Sequence, residues 1–258
     1  MVISCYNIVD THTHLGDPVF DEDRGEVIEK ARTVGLSAIV VVSETLAEAE
    51  RNLELAANYP ILRPAAGLYP THLDLMQAEK MTAFIRREHK RLVAIGEVGI
   101  DYWAVKEESG RERQRQIFLQ FVDLSIELDL PLNVHSRSAG RHVITMLIER
   151  GARKVQLHAF DGKAASALPG VEAGYFFSIP PSIVRSPQKQ KLVRRLPISS
   201  LLVETDSPVL GPTPGERNEP SNALVSIDAI AEIKNLEKEE VREALYDNTR
   251  RLFGDSMC

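Results

Sequence analysis

Short apolar segments rich in β-branched residues recur along the chain, and a segment with helical spacing follows each of them. In order, the apolar segments are NIVDTH, SAIVVVS, LRPAAGL, LVAIGEV, LPLNVH, KVQLHAF, YFFSI and LLVETD. Their hydrophobic residues are nearly continuous rather than alternating with polar ones, which is typical of parallel strands that are buried on both faces. The pattern predicts eight such strands.

The intervening segments have the period of amphipathic helices. In the stretch 111–129 the apolar residues are spaced by three or four positions, which places them on one face of a helix. They are Ile117, Phe121, Leu124 and Leu128. Eight alternations of strand and helix favour an α/β fold, namely a single (β/α)8 TIM barrel that takes up residues 1–258. An open doubly wound sheet is the alternative.

Two stretches interrupt this alternation. YWAVKEESG follows the fourth predicted strand, and SPVLGPTPGERNEP follows the eighth. We expect both to be loops, and the Pro and Gly content of the second excludes regular structure. Because barrel active sites are built from loops at the carboxyl ends of strands, we expect the second loop to form a rim or lid of the site. Helical spacing in 221–235 and 238–253 predicts an extra C-terminal helix beyond the eight.

The 258-residue chain is 43% hydrophobic and 26% charged, an ordinary globular composition. The longest apolar run, AIVVV at 38–42, is too short to span a bilayer, and the first twenty residues lack the layout of a signal peptide. We therefore expect an intracellular protein, cytoplasmic, nuclear or both, that does not bind membranes. Cys5 and Cys258 have no C-x-x-C spacing, so we expect reduced thiols without a catalytic role.

The net charge of -6 at pH 7 gives no general attraction for nucleic acid. A polyanion would have to be bound by a local patch or through a metal. Two basic stretches, RERQR at 111–115 and KQKLVRR at 189–195, are candidates for such a patch. Charged runs of this kind are more often solvated helix faces. No feature of the sequence indicates an obligate protein partner.

The strongest local signal is DTHTH at 10–14, because the two-residue period of a strand places His12 and His14 on the same face. Each of four further potential ligands follows an apolar strand candidate. They are Glu97, His135, His158 and Asp206. In a parallel barrel the carboxyl ends of the strands meet at one mouth, so the six side chains should converge there.

A single buried histidine often has only a hydrogen-bond partner and no metal. Glu97 is harder to explain in this way. It comes just after the apolar segment LVAI, so we expect it to be buried, and burying an unpaired carboxylate costs free energy. Asp206 raises the same difficulty, although Glu204 or the hydroxyls of Thr205 and Ser207 could pair with it locally. Four histidines and two carboxylates at one mouth therefore predict bound cations.

Six ligands exceed the tetrahedral shell of one ion, so two ions bridged by a carboxylate are expected. Two ions roughly 3.5 to 4 Å apart can bind a phosphoryl or carbonyl centre together and activate a shared water. Histidine ligands favour zinc, manganese, iron or cobalt over magnesium, although magnesium could support activity in an assay. The chain lacks the G-x-S-x-G, G-x-x-x-x-G-K and H-E-x-x-H motifs and the zinc-deaminase signature, which argues against those reaction classes.

Taken together, these motifs resemble those of the TatD family of metal-dependent deoxyribonucleases, within the amidohydrolase superfamily. The resemblance covers almost the whole chain through DTHTH, GLYPTH, IGEVGIDY, NVHSR, HAFDG, ETDSP, RNEPSN and NTRRLF, in the order of the family. It is greatest to an animal branch of the family. One position departs from the pattern, since members commonly have a histidine where this chain has Tyr69 before Pro70.

The resemblance implies a role for each ligand. One ion would be held by His12, His14 and Asp206. The other would be held by His135 and His158, and Glu97 would bridge the two. Glu97 and Asp206 would be the catalytic residues, with Asp206 steering the proton of the attacking water.

The family's reaction also implies a DNA substrate. The residues expected to contact its phosphates are His72, Arg137 and Arg217. Surface salt bridges would explain the two arginines equally well, and His72 needs no role if it is a solvated loop residue. Tyr102 and Trp103, beside the site, could stack a base or simply cover the barrel rim.

The leading hypothesis is a deoxyribonuclease that hydrolyses phosphodiester bonds with a water activated by two metal ions. We expect it to be exonucleolytic on single-stranded or damaged DNA. One alternative is a barrel hydrolase that acts on amides or lactones, because the same pair of ions would polarise a carbonyl. The other is an adaptor that has kept the barrel without catalysis, and the presence of every ligand argues against it.

Overall fold

A computed structural model describes residues 8–254 and Met257, so Cys5 and Cys258 lie outside the described residues. Eight parallel strands form one sheet in the order β1 to β8, each hydrogen-bonded to the next along the chain. The strands are β1 (Ile8–Thr13), β2 (Leu36–Val41), β3 (Leu62–Ala66), β4 (Ala94–Gly99), β5 (Leu132–His135), β6 (Val155–Leu157), β7 (Phe176–Ile179) and β8 (Leu201–Val203).

A helix follows every strand, and one more helix comes after them. The helices are α1 (Arg24–Thr33), α2 (Leu46–Asn58), α3 (Leu75–Glu88), α4 (Glu108–Leu128), α5 (Gly140–Arg150), α6 (Ala164–Glu172), α7 (Pro187–Arg195), α8 (Ala223–Lys234) and α9 (Lys238–Phe253). This order confirms the predicted (β/α)8 barrel with an extra C-terminal helix. In the described part of the chain, no helix has both the length and the apolar character needed to cross a membrane.

Hydrogen bonds at and just beyond the carboxyl ends of β1 and β8 join the first strand of the barrel to the last. The amide of Asp206 donates to the carbonyl of His12 at 2.9 Å, and the amide of His14 donates to the carbonyl of Ser207 at 2.8 Å. The same two bonds hold His12, His14 and Asp206 side by side. Closure of the barrel therefore also aligns three of the predicted ligands.

The base of the barrel is filled by small apolar side chains. They form one buried cluster with Met257, and they include Val9, Ala38, Val40, Ala65 and Ala94. Val9, Ala38 and Ala94 lie early on their strands, and because parallel strands all run toward the mouth, these three residues lie away from the predicted ligands.

A layer of polar side chains separates this apolar base from the mouth. Gln156 donates to the hydroxyls of Thr11 and Ser178, both at 2.9 Å. Asn133 donates to the carbonyl of Thr11, also at 2.9 Å. All four residues are fully buried. The predicted ligands therefore stand on a hydrogen-bonded floor rather than directly on the apolar base.

One element boundary differs clearly from the prediction. Helix α4 begins at Glu108, so the last residues of the predicted loop YWAVKEESG are helical. A negative charge in the first turn stabilises a helix, and Glu108 also pairs with Arg115 at 2.6 Å. The loop SPVLGPTPGERNEP is irregular as predicted, up to a short 3-10 turn over Pro220–Asn222 that precedes α8.

Candidate metal centre

The structure brings the six predicted ligands together at the carboxyl ends of the strands. Five of them are buried, and His14 is partly exposed. Each lies near the carboxyl end of its strand, within the strand or just beyond it: His12 and His14 for β1, Glu97 for β4, His135 for β5, His158 for β6 and Asp206 for β8. Residues far apart in the sequence meet here because parallel strands end at one edge.

Four of the ligands face a common point. The Nε2 atoms of His12 and His14 are 3.3 Å apart. They lie 3.4 Å and 3.5 Å, respectively, from Oδ1 of Asp206. Oε2 of Glu97 lies 3.8 Å and 3.5 Å from the same two nitrogens. Atoms from three strands therefore surround one position.

The other oxygen of Glu97 faces a second group. Its Oε1 lies 2.7 Å from Nδ1 of His135 and 2.9 Å from Nε2 of His158. These two nitrogens are 3.2 Å apart. The close approach of β4 to β5 at this point requires Gly99, because a Cβ there would lie 2.0 Å from the carbonyl oxygen of His135.

The donor atoms and their spacing fit bound cations. Metal–ligand bonds of about 2.0–2.1 Å in a tetrahedral shell place neighbouring ligand atoms about 3.3 Å apart. The nitrogen–oxygen distances between the two β1 histidines and the carboxylates of Glu97 and Asp206 run from 3.4 to 3.8 Å. The set His12, His14 and Glu97 and the set Glu97, His135 and His158 could each hold a metal ion.

The local groups that could have formed hydrogen bonds with Asp206 are occupied elsewhere. The hydroxyl of Thr205 donates to the carboxylate of Asp10 at 2.5 Å, and the hydroxyl of Ser207 donates to that of Thr205 at 2.8 Å. Glu204 accepts a hydrogen bond from Ser178 at 2.5 Å. Asp206 therefore faces histidines and the cavity rather than a local hydroxyl.

Two polar side chains that the sequence analysis did not single out orient the histidines. Oδ1 of Asn133 lies 2.8 Å from Nδ1 of His12, and Oδ2 of Asp101 lies 3.2 Å from Nε2 of His135. Partners of this kind fix the tautomer and ring orientation of metal-binding histidines. Asn133 precedes His135 by two residues on β5, so the two-residue strand period could have identified it.

We expect Asn133→Ala to lower metal affinity by about 10–100-fold, because it removes the partner that orients His12. The measurement is a competition titration against a chromogenic chelator. Asn58→Ala, at an exposed position on α2, is the control. A thermal melt identifies any general loss of fold, since Asn133 also donates to the carbonyl of Thr11 within the polar layer. Equal metal affinities for the two variants would contradict the orienting role.

Glu204 is a further buried carboxylate beside the centre. It accepts hydrogen bonds from Ser178 and from the amide of Ala159, and its Oε2 lies 3.8 Å from Nδ1 of His158. With His12 and His158 it forms a third set that could hold a metal. Its oxygens are already used as acceptors, and burial raises its pKa. It is therefore better suited to support His158 than to bind an ion.

The electrostatics of the centre favour positive charge. Burial alone would lower the pKa of His12, but its hydrogen bond to Asp206 and the charge of Glu97 raise it to about 10. Burial likewise opposes protonation of His135, and its carboxylate neighbours raise its pKa to about 9. Burial would raise the pKa of Glu97, but His158 and His135 hold it well below its usual range. Bound cations would take the place of these protons.

A cavity of about 440 Å³ opens above the ligands. Arg137 lines it and is exposed, and its guanidinium carbon lies 3.7 Å from the ring centre of Trp103. Tyr69, at the position where the family commonly has a histidine, also lines the cavity. Its hydroxyl donates to Asp101 at 3.4 Å. Tyr69, the position at which this chain departs from the family pattern, is therefore part of the cavity wall.

The other two predicted substrate contacts lie outside this cavity. His72 is in the loop after β3, where its amide donates to the carbonyl of Tyr69 at 2.9 Å. Arg217 lines a separate groove, and its guanidinium is paired with Asp23. Their contact with substrate stays a prediction.

The two basic stretches differ in how they are used. In RERQR, Arg115 pairs with Glu108 and Glu112, so much of its charge is neutralised on the surface of α4. In KQKLVRR, Lys191 is exposed on α7, whereas Lys189 is buried and lines the cavity. The second stretch is therefore not a uniformly solvated helix face.

Known proteins resemble this chain over nearly its whole length. The family model described as TatD related DNase matches residues 9–254. Deoxyribonuclease TATDN3 of Homo sapiens is 45% identical over 258 residues, which cover 95% of this chain and 94% of that protein. The uncharacterized metal-dependent hydrolase YabD of Bacillus subtilis is 34% identical, with 95% and 98% covered. The crystal structure of YJJV, a TatD homolog from Escherichia coli, has a TM-score of 0.88 at 28% identity, with 96% and 98% covered.

Proposed function

Because this chain belongs to the TatD-related DNase family, we propose that it is a metal-dependent deoxyribonuclease that uses two divalent ions. One observation carries the proposal, namely the orientation of the Glu97 carboxylate. Its Oε2 faces the two histidines of β1, whereas its Oε1 faces His135 and His158. A carboxylate placed in this way is suited to bridge two ions.

Six residues would hold the ions. The first would lie among His12, His14 and Asp206, the second beside His135 and His158, and Glu97 would contact both. Zinc, manganese or a similar ion suits this nitrogen-rich donor set. When bound, two such ions polarise a phosphodiester and lower the pKa of a water molecule.

Asp206 is the residue best placed to accept a hydrogen bond from this water and to steer its proton. Its carboxylate lies beside His12 and His14 and borders the cavity. Burial would raise its pKa, but hydrogen bonds with the two histidines hold the pKa below the usual range of an aspartate. An ionised carboxylate here accepts a hydrogen bond from the water and orients it for attack.

Substrate binding would rely first on Arg137. Its exposed guanidinium suits charge-assisted hydrogen bonds to phosphate oxygens. Trp103, against which Arg137 stacks, is 55% exposed, so it retains surface on which a nucleobase can stack. His72 and Arg217 would contact more distant parts of a longer strand, and Arg217 would first have to leave Asp23.

The size of the cavity favours single-stranded or damaged DNA. Its volume of about 440 Å³ is that of a small-molecule pocket. A nucleotide stacked within a duplex cannot reach ligands at the bottom of such a pocket unless it is terminal or unstacked. We therefore propose cleavage from strand ends or at lesions.

The test compares hydrolysis of end-labelled single-stranded DNA with turnover of a panel of small amides and lactones. We expect DNA cleavage that requires a divalent metal, because the centre joins histidine and carboxylate ligands to a cavity bordered by an exposed arginine. EDTA treatment followed by readdition of zinc or manganese is the control. Robust lactone turnover without DNA cleavage would favour the rival hydrolase.

Elemental analysis of the same preparation tests the adaptor alternative. A two-ion enzyme purified under metal-replete conditions should contain between one and two transition-metal ions per chain. Fewer than one ion per chain, together with no hydrolysis of any substrate, would favour the adaptor.

A further inference from the structure

We infer that Lys189 is a phosphate-binding residue of the same cavity, an inference that rests on the proposed function. Lys189 is the only buried lysine in the described part of the chain. It lies on α7 three and four residues before Leu192 and Val193, which is the spacing of a core-facing stripe. Its side chain lines the cavity into which Glu97 and Asp206 also project.

The ammonium group of Lys189 has few partners for a buried charge. Its Nζ donates to the carbonyl of Ala159 at 3.0 Å, and no carboxylate of the described residues accepts from it. An ammonium group has three donors, and burying a charge without a counter-ion is costly. Two N–H groups therefore stay available for a ligand that brings negative charge.

The acidic groups around Lys189 are used in other ways. Glu204, Asp206 and Asp161 act on it only at longer range. Asp206 is one of the proposed metal ligands, and Asp161 accepts the amide of Ser138 at 2.9 Å. Glu204 accepts two other hydrogen bonds. Bound cations would offset the charges of Glu97 and Asp206, and the ammonium group of Lys189 would then have no carboxylate partner among the described residues.

A phosphate group of the substrate is the anion that would complete this arrangement. Lys189 and Arg137 both line the cavity that contains the metal centre. An oxygen bound by Lys189 would belong to the scissile phosphate or to the phosphate next to it. Lys189 would then act as a point charge that holds the substrate, while Arg137 offers a planar fork nearer the surface.

A purely structural role for Lys189 predicts something different. Ala159 directly follows His158, so the bond from Lys189 to the Ala159 carbonyl also supports a metal ligand. Loss of that support would reduce metal binding and thermal stability. It would not change phosphate affinity in protein that is saturated with metal.

The experiment measures binding of inorganic phosphate to the metal-saturated protein by isothermal titration calorimetry at constant ionic strength. Lys189→Met keeps most of the side-chain length and removes the charge, so we expect the Kd for phosphate to rise about tenfold or more. Lys189→Arg keeps the charge and should retain most of the affinity. Lys191→Met, two residues along α7 and exposed, is the matched control and should bind as the wild type does.

Metal content and melting temperature are measured for every variant. An unchanged Kd in Lys189→Met, or a loss shared by Lys191→Met, would overturn the inference. Phosphate binding that falls only in proportion to lost metal would also overturn it and leave Lys189 as a support for His158. Phosphate binding requires no cleavage, so a wild-type protein that binds phosphate through Lys189 but leaves DNA intact would overturn only the proposed deoxyribonuclease activity.

Discussion

Glu97→Gln is expected to abolish DNA hydrolysis, with a fall in kcat of at least about 10³-fold. The substitution preserves size but replaces one carboxylate oxygen with an NH2 group, which donates hydrogen bonds and cannot bind a cation. Because Oε1 and Oε2 face different pairs of histidines, either orientation of the amide deprives one pair of its oxygen. Bound metal should therefore fall together with activity.

The measurement combines single-turnover cleavage of labelled DNA with elemental analysis. Circular dichroism and a thermal melt show whether the fold is intact. Glu216→Gln is the matched control, because it makes the same change in the separate groove lined by Arg217, and it should cleave at the wild-type rate. Wild-type rates in Glu97→Gln would rule out the bridging assignment.

Asp206→Asn is expected to lower kcat by about 10²–10⁴-fold, the usual contribution of a positioned proton acceptor. Asp206 has a φ of 56°, in the left-handed region, and asparagine tolerates that region well. The variant should therefore keep the backbone between β8 and the following loop. What it loses is a negative charge beside His12 and His14.

Separate measurement of kcat and KM distinguishes a role in orienting the water from a role in binding substrate. With metal supplied at saturation, a residue that orients the water should change kcat strongly and KM little. Asp228→Asn, on the exposed surface of α8, is the control. A rise in KM with kcat unchanged would assign Asp206 to substrate binding instead of proton transfer.

The barrel and the six proposed ligands could be predicted from the sequence because both depend on regular periods. Continuous apolar segments mark parallel strands, and polar residues that end such segments must meet at one edge. His135 and His158 illustrate this, since each alone resembles an ordinary buried histidine. Their positions at the ends of β5 and β6 are what link them to the histidines of β1.

The residues around the ligands were harder to predict, because their partners come from distant parts of the chain. Asp101 looks like an ordinary loop residue until β5 places His135 beside it. Lys189 lies in the charged run KQKLVRR, which suggests a solvated face. Its spacing to Leu192 and Val193 is the local signal that would have shown it facing inward.

Arg217 is a residue whose partner could not be predicted from its sequence motif. The motif RNEP suggests that Arg217 contacts phosphate, but its guanidinium is paired with Asp23, in the segment between β1 and α1. Long flexible side chains choose among several partners within reach, and that choice depends on the tertiary structure.

The apolar base of the barrel determines how a long polymer can be handled. Because the cluster around Val9, Ala38 and Ala94 fills the amino-terminal end of the barrel below the hydrogen-bonded floor, the cavity above the ligands is closed on that side. A DNA strand could not pass through the barrel, so under the proposed activity a released nucleotide would leave by the mouth through which the strand end entered. Each further cut on one strand would therefore require the released nucleotide to leave before the new strand end moves in.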